Sequence, residues 1–233
     1  MFGQVYPKAL QITRRDRKRA FVFIVTYGRS GSTLLQQLVG SNCGYLIRGE
    51  NNNALFYLYK SYQKLVSASK NFLTHDTQSI SHPWYGLCFF NQTDYARALA
   101  NLFVQQVIKP SQQHKVIGFK EVRYIEHLDE LESYLDFLLT AFFPCKFVFN
   151  VRRAEDVAAS QAQTQWWPMN KEETVALIER CDAIFRTYTE RNKEKCYIVE
   201  YDSYIKNPQA LRGMYDFLGE PFDIEKVSSI LKR

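Results

Sequence analysis

Short apolar runs alternate with amphipathic segments along the chain. The apolar runs are rich in Val, Ile and Phe, as buried strands are, and they lie at 21–26, 46–47, 115–119, 145–151 and 196–200. Segments with helical spacing lie between and beyond them, at 33–39, 55–72, 94–108, 128–143, 154–162, 172–191, 208–218 and from about 224. This alternation predicts an α/β fold with a central parallel sheet of four to five strands flanked by helices.

No internal repeat, low-complexity stretch or linker divides the chain, so the sequence predicts a single domain over residues 1–233. The segment 73–91 shows neither the helical nor the strand pattern of apolar residues and is predicted to be a long loop. Ligands of parallel sheets bind outside the carboxyl ends of the strands. Functional residues are therefore expected directly after the apolar runs.

The composition is that of an ordinary globular domain. Hydrophobic residues make up 46% and charged residues 23% of the chain, which excludes a disordered protein. The net charge of +6 favours an anionic ligand or surface. The apolar run at 21–25 is far shorter than the roughly 20 residues of a membrane span, and no secretory signal is visible. We therefore expect no integral membrane segment and a cytoplasmic protein.

The cysteines and histidines show no metal-binding pattern. Five Cys form no CxxC pair, and the four His lack ligand spacing. The sequence predicts free thiols in a reducing compartment and no metal site.

A phosphate-binding loop is predicted after the first strand. Two glycines let the backbone turn tightly with its N–H groups pointing inward, and the next helix adds its positive N-terminus. Ser32 and Thr33 can donate hydroxyls and Arg29 supplies a full charge. The residues predicted to bind the phosphate are Arg29, Ser30, Gly31, Ser32 and Thr33. A nucleoside triphosphatase loop would carry Lys after its last glycine, whereas Ser32 stands here. The alternative is an ordinary turn that caps a helix.

A second anion site is predicted after the strand at 145–151. Arg152 and Arg153 follow that strand, and Ser160 lies eight residues beyond Arg152 on the next predicted helix. Arg152 and Ser160 can bind one anion together. The alternative is that the two arginines pair with Glu155 or Asp156.

Together the two motifs resemble the sulfotransferase family that uses 3′-phosphoadenosine 5′-phosphosulfate (PAPS). The family's loop TYx[RK]SG[ST][ST] stands here at 26–33, and its R-x-P-x(5)-S motif stands at 152–160 with Ala154 in place of Pro. The run at 151–167 looks like the bacterial trehalose sulfotransferases, and 199–219 is similar to the family's late strand and helix.

The resemblance implies a three-layer, P-loop-like fold and in-line sulfuryl transfer to a hydroxyl of a carbohydrate or glycolipid. PAPS is then the co-substrate and 3′-phosphoadenosine 5′-phosphate (PAP) the product, with no metal. Residues 29–33 would hold the 5′-phosphosulfate, and Arg152 with Ser160 would hold the 3′-phosphate. The unmatched segment 51–114 is expected to contribute to the acceptor side.

The general base is predicted to be Glu50, which follows the short strand at 46–47. Carbohydrate sulfotransferases often place a glutamate at the end of this element. The alternatives are that Glu50 pairs with Arg48 or lies in the following turn, in which case His75 or His82 in the loop, or Glu121, is the base.

Two further groups are candidates for the chemistry. Lys120 ends the strand at 115–119, where it can hold the sulfonate or the acceptor, or can instead pair with Glu121 or Glu126. Trp166 and Trp167 follow the second anion site and can stack on a sugar or on adenine. The alternative is that one tryptophan packs in the core and the other anchors a lid. Arg29, Glu50 and Lys120 are thus the predicted catalytic set, with the two histidines and two tryptophans on the acceptor side.

Two other function classes compete with this hypothesis. A P-loop-like nucleotide kinase or NTPase would place an Asp at a strand end, where the chain has Lys120, Arg152 and Glu200. A basic, non-enzymatic module would use residues 14–19 and the arginine pair on nucleic acid or acidic lipid. The chain carries no recognised nucleic-acid motif, so no nucleic-acid partner is expected.

Overall fold

The computed structural model describes residues 19–164 and 169–232, and its centre is a five-stranded parallel sheet. The strands are β1 (Ala20–Val25), β2 (Tyr45–Arg48), β3 (Val116–Glu121), β4 (Cys145–Val151) and β5 (Cys196–Glu200). Their order in the sheet is β2-β3-β1-β4-β5. The first strand of the chain therefore lies in the middle.

Helices cover the sheet. They are α1 (Ser32–Gly40), α2 (Ala54–Phe72), α3 (Gln92–Phe103), α4 (Leu131–Ala141), α5 (Ala154–Gln161), α6 (Lys171–Arg191), α7 (Tyr201–Lys206), α8 (Arg212–Leu218) and α9 (Ile224–Leu231). No helix within the described ranges combines the length and hydrophobicity that a membrane span requires.

The side chains of β1 divide the core into two layers. Phe21, Phe23 and Val25 point to one face and pack with apolar residues of α2, α3, α4 and α6. Val22 and Ile24 point to the other face and pack with residues of α1, α8 and α9. Because a strand alternates its side chains between two faces, a continuous apolar run is what burial on both faces requires. The predicted three-layer α/β architecture is confirmed.

Several predicted elements differ in detail. The helix predicted at 128–143 begins as a 3₁₀ stretch at Arg123–Glu130, because the backbone of His127 leaves helical geometry, and α4 starts only at Leu131. The helix predicted at 208–218 divides into a 3₁₀ turn at Pro208–Leu211 and α8. The predicted loop at 73–91 contains two short 3₁₀ turns, at His75–Gln78 and Leu87–Phe89.

The sheet order determines which loops meet. All five strands are parallel, so their carboxyl ends lie at one edge of the sheet. The loop after β1 lies in the middle of that edge. The segments after β2 and β3 lie on one side of it, and those after β4 and β5 lie on the other.

Candidate active site

A pocket of about 700 Å³ lies at the carboxyl edge of the sheet. Every strand contributes a segment to its lining. The contributing residues include Arg29, Gly31, Ser32 and Thr33 after β1, Glu50 after β2, Arg123 and Glu126 after β3, Arg152 and Ser160 after β4, and Tyr201 after β5. We call this cavity the strand-end pocket.

Buried polar side chains fix the shape of the loop after β1. The Thr26 hydroxyl donates to the carbonyl oxygen of Asn150 at 2.7 Å, and the Asn150 amide donates to the carbonyl oxygen of Ser30 at 2.8 Å. The Ser30 hydroxyl donates to the Tyr27 carbonyl oxygen at 2.8 Å. Ser30 is fully buried and does not line the strand-end pocket, so it braces the loop from behind.

Gly31 adopts a backbone conformation that favours glycine. Its φ is +80°, and a Cβ at this position would lie 2.1 Å from Cε2 of the Tyr201 ring. Gly31 precedes α1 without a side-chain hydrogen bond that caps the helix, so the first N–H groups of α1 are not consumed by a capping side chain. Ser32 and Thr33 of that first turn line the pocket. The geometry is that of an anion site at a helix N-terminus.

Arg152 is held from two directions. The Tyr27 hydroxyl accepts from the Arg152 N–H at 2.9 Å and donates to the Arg152 carbonyl oxygen at 3.1 Å. The guanidinium donates to the Arg29 carbonyl oxygen at 2.9 Å and lies 4.7 Å above the Tyr201 ring. Burial raises the pKa of Tyr27 well above its ordinary value, so the phenol stays protonated and keeps its donor role.

The two predicted anion motifs converge on one end of the pocket. The Arg29 Nε donates to the Ser160 Oγ at 2.8 Å. The Nε of Arg152 is buried and has no partner among the described residues. Arg153 instead turns away and pairs with Asp156 at 2.8 Å, so the alternative interpretation holds for Arg153 and not for Arg152.

Glu50 and Lys120 form an ion pair at the other end of the pocket. The Lys120 Nζ donates to Glu50 Oε1 at 2.5 Å. The lysine side chain is 5% exposed and the glutamate side chain 41% exposed, so Glu50 presents its carboxylate to the pocket while Lys120 approaches from the sheet. Arg48, the expected alternative partner of Glu50, donates to the carbonyl oxygen of Ile108 at 2.9 Å.

Glu121 has a structural role. Its carboxylate is 1% exposed and accepts four backbone N–H bonds, from Asn51, Asn53, Val122 and Arg123. These bonds tie the segment after β2 to the segment after β3. The carboxylate has no position left for an acceptor hydroxyl, and Glu121 is therefore a poor alternative to Glu50.

The remaining candidates lie elsewhere. His75 and His82 belong to the segment 73–91, and neither lines the strand-end pocket. Trp166 and Trp167 lie outside the described residues, as do all but the last residue of the basic run at 14–19. Within the described ranges, no group of three His, Cys or acidic side chains is arranged to hold a metal ion.

Sequence reasoning singled out neither Tyr201 nor Arg123 as a site residue. Tyr201 directly follows β5 and Arg123 lies two residues after β3, so position after a strand is the signal that indicates both. Glu126, considered only as a partner for Lys120, lines the pocket itself.

Comparison with known proteins agrees with this geometry. Residues 21–224 match the model of the sulfotransferase family. No curated protein matches the sequence significantly.

Three solved structures share the fold. The sulfotransferase domain from the curacin biosynthetic pathway has a TM-score of 0.55 and 17% identity, over 88% of this chain and 75% of that one. The sulfotransferase domain of the Synechococcus PCC 7002 olefin synthase has a TM-score of 0.52 and 19% identity, over 88% and 74%. A sulfotransferase from Alicyclobacillus acidocaldarius has a TM-score of 0.50 and 13% identity, over 87% and 82%.

Proposed function

Because the chain belongs to the sulfotransferase family, we propose that it transfers a sulfuryl group from PAPS to a hydroxyl of a carbohydrate or glycolipid acceptor. One feature of the strand-end pocket supports this proposal above all. The pocket joins an anion-binding end, built by Arg29, Arg152 and Ser160, to an end that holds the Glu50–Lys120 pair.

The residues at the anion-binding end fit PAPS. The loop after β1 and the N-terminus of α1 would hold the 5′-phosphosulfate, since Ser32 and Thr33 face the pocket there. Arg152 and Ser160 would hold the 3′-phosphate, and the buried Nε of Arg152 is a donor that still lacks a partner among the described residues. Tyr201 offers an aromatic ring beside that arginine.

PAPS supplies an activated sulfuryl group, whose bond to the phosphate oxygen breaks as the bond from sulfur to the acceptor oxygen forms. Glu50 would take the proton of the acceptor hydroxyl, as its exposed carboxylate permits. Lys120 would orient that carboxylate and place a positive charge beside the transfer site. Arg29 would stabilise negative charge on the nucleotide side.

We also propose that the chain works as one domain, without a metal or a nucleic-acid partner, in the cytoplasm. The electrostatic work of transfer can be done by fixed Arg, Lys and N–H groups. All five cysteines lie within the described residues and carry free thiols, which fits a reducing compartment.

The test is ligand-dependent thermal stabilisation, followed by transfer of labelled sulfate from PAPS to a panel of sugars and glycolipids. A ligand at 100 times its Kd should add about 2.7 kcal/mol to the stability. PAP is expected to stabilise the protein far more than ATP with Mg²⁺. Arg152→Ala should abolish the PAP effect, whereas the matched control Arg153→Ala should retain it. Equal stabilisation by ATP, dependent on Mg²⁺, would indicate a kinase or NTPase instead.

A further inference from the structure

One charged pair in the strand-end pocket has no role in the transfer described above. Arg123 and Glu126 line the pocket after β3, three residues apart. Arg123 Nη1 and Glu126 Oε1 are 3.4 Å apart, and the side chains are 36% and 50% exposed. An exposed ion pair at this distance contributes little to the stability of the fold.

We propose that Arg123 and Glu126 recognise the acceptor, and that together they select an uncharged, polyhydroxylated molecule such as a neutral sugar. The inference rests on the proposed function, since it assigns the acceptor class of the same site. It adds two specificity-determining residues that neither donate nor accept the transferred group.

The position of the pair follows from the sheet order. β3 lies between β2 and β1, so Arg123 and Glu126 are on the same side of the central loop as Glu50. Arg152 and Ser160 follow β4, on the opposite side. A nucleotide held by Arg152 and Ser160 leaves the β3 side of the pocket free for the acceptor.

The chemistry of the pair suits neighbouring hydroxyls. A guanidinium only donates hydrogen bonds and a carboxylate only accepts them, whereas a sugar hydroxyl does both. Two adjacent hydroxyls can therefore accept from Arg123 and donate to Glu126. Val122 and Ile125 also line this part of the pocket and give an apolar surface for the C–H face of a ring.

The backbone of Arg123 is fixed and the inner part of its guanidinium is buried. Its backbone N–H donates to Glu121 Oε1 at 3.1 Å. Its Nε is buried without a partner among the described residues, so the outer nitrogens are the ones that a ligand can reach. An anchored donor loses less entropy on binding than a free one.

The charge balance disfavours an anionic acceptor. Lys120 is paired with Glu50, and Arg123 with Glu126, so the described charges at this end of the pocket cancel. A carboxylate or sulfate on the acceptor would meet two glutamates and no surplus cation. An anionic ligand that finds like charges and no free counter-charge is selected against.

The test uses two probes that differ only at C6, methyl glucoside with a hydroxymethyl group there and methyl glucuronide with a carboxylate. Binding of each to the PAP-loaded protein is measured by saturation-transfer NMR, and sulfate transfer from PAPS is measured in parallel. Wild type is expected to bind the glucoside and to bind the glucuronide at least tenfold more weakly. Glu126→Gln should weaken glucoside binding about tenfold, the worth of one charged hydrogen bond, and should reduce the preference against the glucuronide. PAP affinity should not change.

The matched control is Glu190→Gln, which removes the acid of another exposed i,i+3 pair, with Lys193 at 2.8 Å. Glu190 does not line the strand-end pocket, and this variant should behave as wild type. Three results would overturn the inference: a preference for the glucuronide, failure of the glucoside to bind the PAP-loaded protein, or equal behaviour of the two Gln variants. If PAP still bound in such a case, the proposed nucleotide site would stand. Failure of wild type to bind PAP would overturn the proposed function and this inference with it.

Discussion

Arg29 and Ser160 lie 131 positions apart in the chain, and the arginine Nε donates to the serine hydroxyl at 2.8 Å. This bond joins the loop after β1 to the helix after β4. It exists because β1 and β4 are direct neighbours in the sheet. Two motifs that lie far apart in the sequence thus form one surface, which is the proposed anion-binding end of the pocket. They meet because their strands are adjacent in the sheet.

The first prediction concerns the residues that would hold the 3′-phosphate. Arg152→Lys and Ser160→Ala should raise the KM for PAPS at least tenfold and leave kcat within about threefold, since the 3′-phosphate keeps its charge throughout transfer. Lysine keeps the positive charge of Arg152 but lacks the planar set of N–H donors of a guanidinium. Steady-state kinetics with PAPS varied would measure this. A large fall in kcat at unchanged KM would assign both residues to the chemistry.

The second prediction concerns Glu50. Glu50→Gln should fold normally and bind PAP as wild type does, but lose on the order of 10²–10⁴ in kcat, the usual contribution of a general base. PAP titration and sulfate-transfer rates would separate the two effects. The control is Glu126→Gln, which removes another carboxylate from the same pocket and should change the acceptor KM more than kcat. Retention of more than about a tenth of the activity by Glu50→Gln would exclude it as the base.

Much of the fold could be predicted from the sequence. The three central strands, β1, β3 and β4, are buried on both faces, and so their apolar runs are continuous and easily recognised. The loop after β1 is recognisable because Gly31 meets a backbone requirement that few residues meet. The short helix α7 was not predicted, since it starts directly after β5 with no turn residue between them.

The acceptor side of the site could not be predicted in the same way. Arg123 and Glu126 belong to a 3₁₀ stretch whose sequence shows no ligand-binding motif. Their place in the pocket depends on β3 lying beside β1, and spacing along the chain does not encode which strands are neighbours. The partner of Lys120 was missed for the same reason, since Glu50 reaches it only through the pairing of β2 with β3.

The third prediction tests the close contact of β3 with β1. A Cβ on Gly118 would lie 1.7 Å from the carbonyl oxygen of Val22, a distance that backbone atoms cannot relieve without separating the strands. Gly118→Ala should therefore cost about 3 kcal/mol or more of stability. Gly49→Ala is the matched control, because a Cβ there meets nothing within 4 Å. Urea denaturation would measure both, and equal midpoints for the two variants would contradict the packing.

The last prediction concerns Asp182, which lines a second cavity together with Arg152 and Arg186. Burial raises the pKa of Asp182 to about 6, even though the Tyr27 hydroxyl and nearby Arg186 both lower it. An unfolded aspartate titrates near 3.9, so the folded protein binds the proton more tightly. The stabilisation by this proton is present below about pH 4 and is lost as the pH rises to about 6.

Asp182→Asn mimics the protonated carboxyl at every pH. It should therefore be more stable than wild type at pH 7.5, by roughly 1–3 kcal/mol, and nearly equal to it at pH 4. Thermal denaturation across this range should show a gap of a few degrees at pH 7.5 that closes on acidification. Asp216→Asn, on the exposed face of α8, should show no such gap. A difference between Asp182→Asn and wild type that is constant with pH, or that grows towards acid, would show that the carboxyl of Asp182 is not destabilised by its burial.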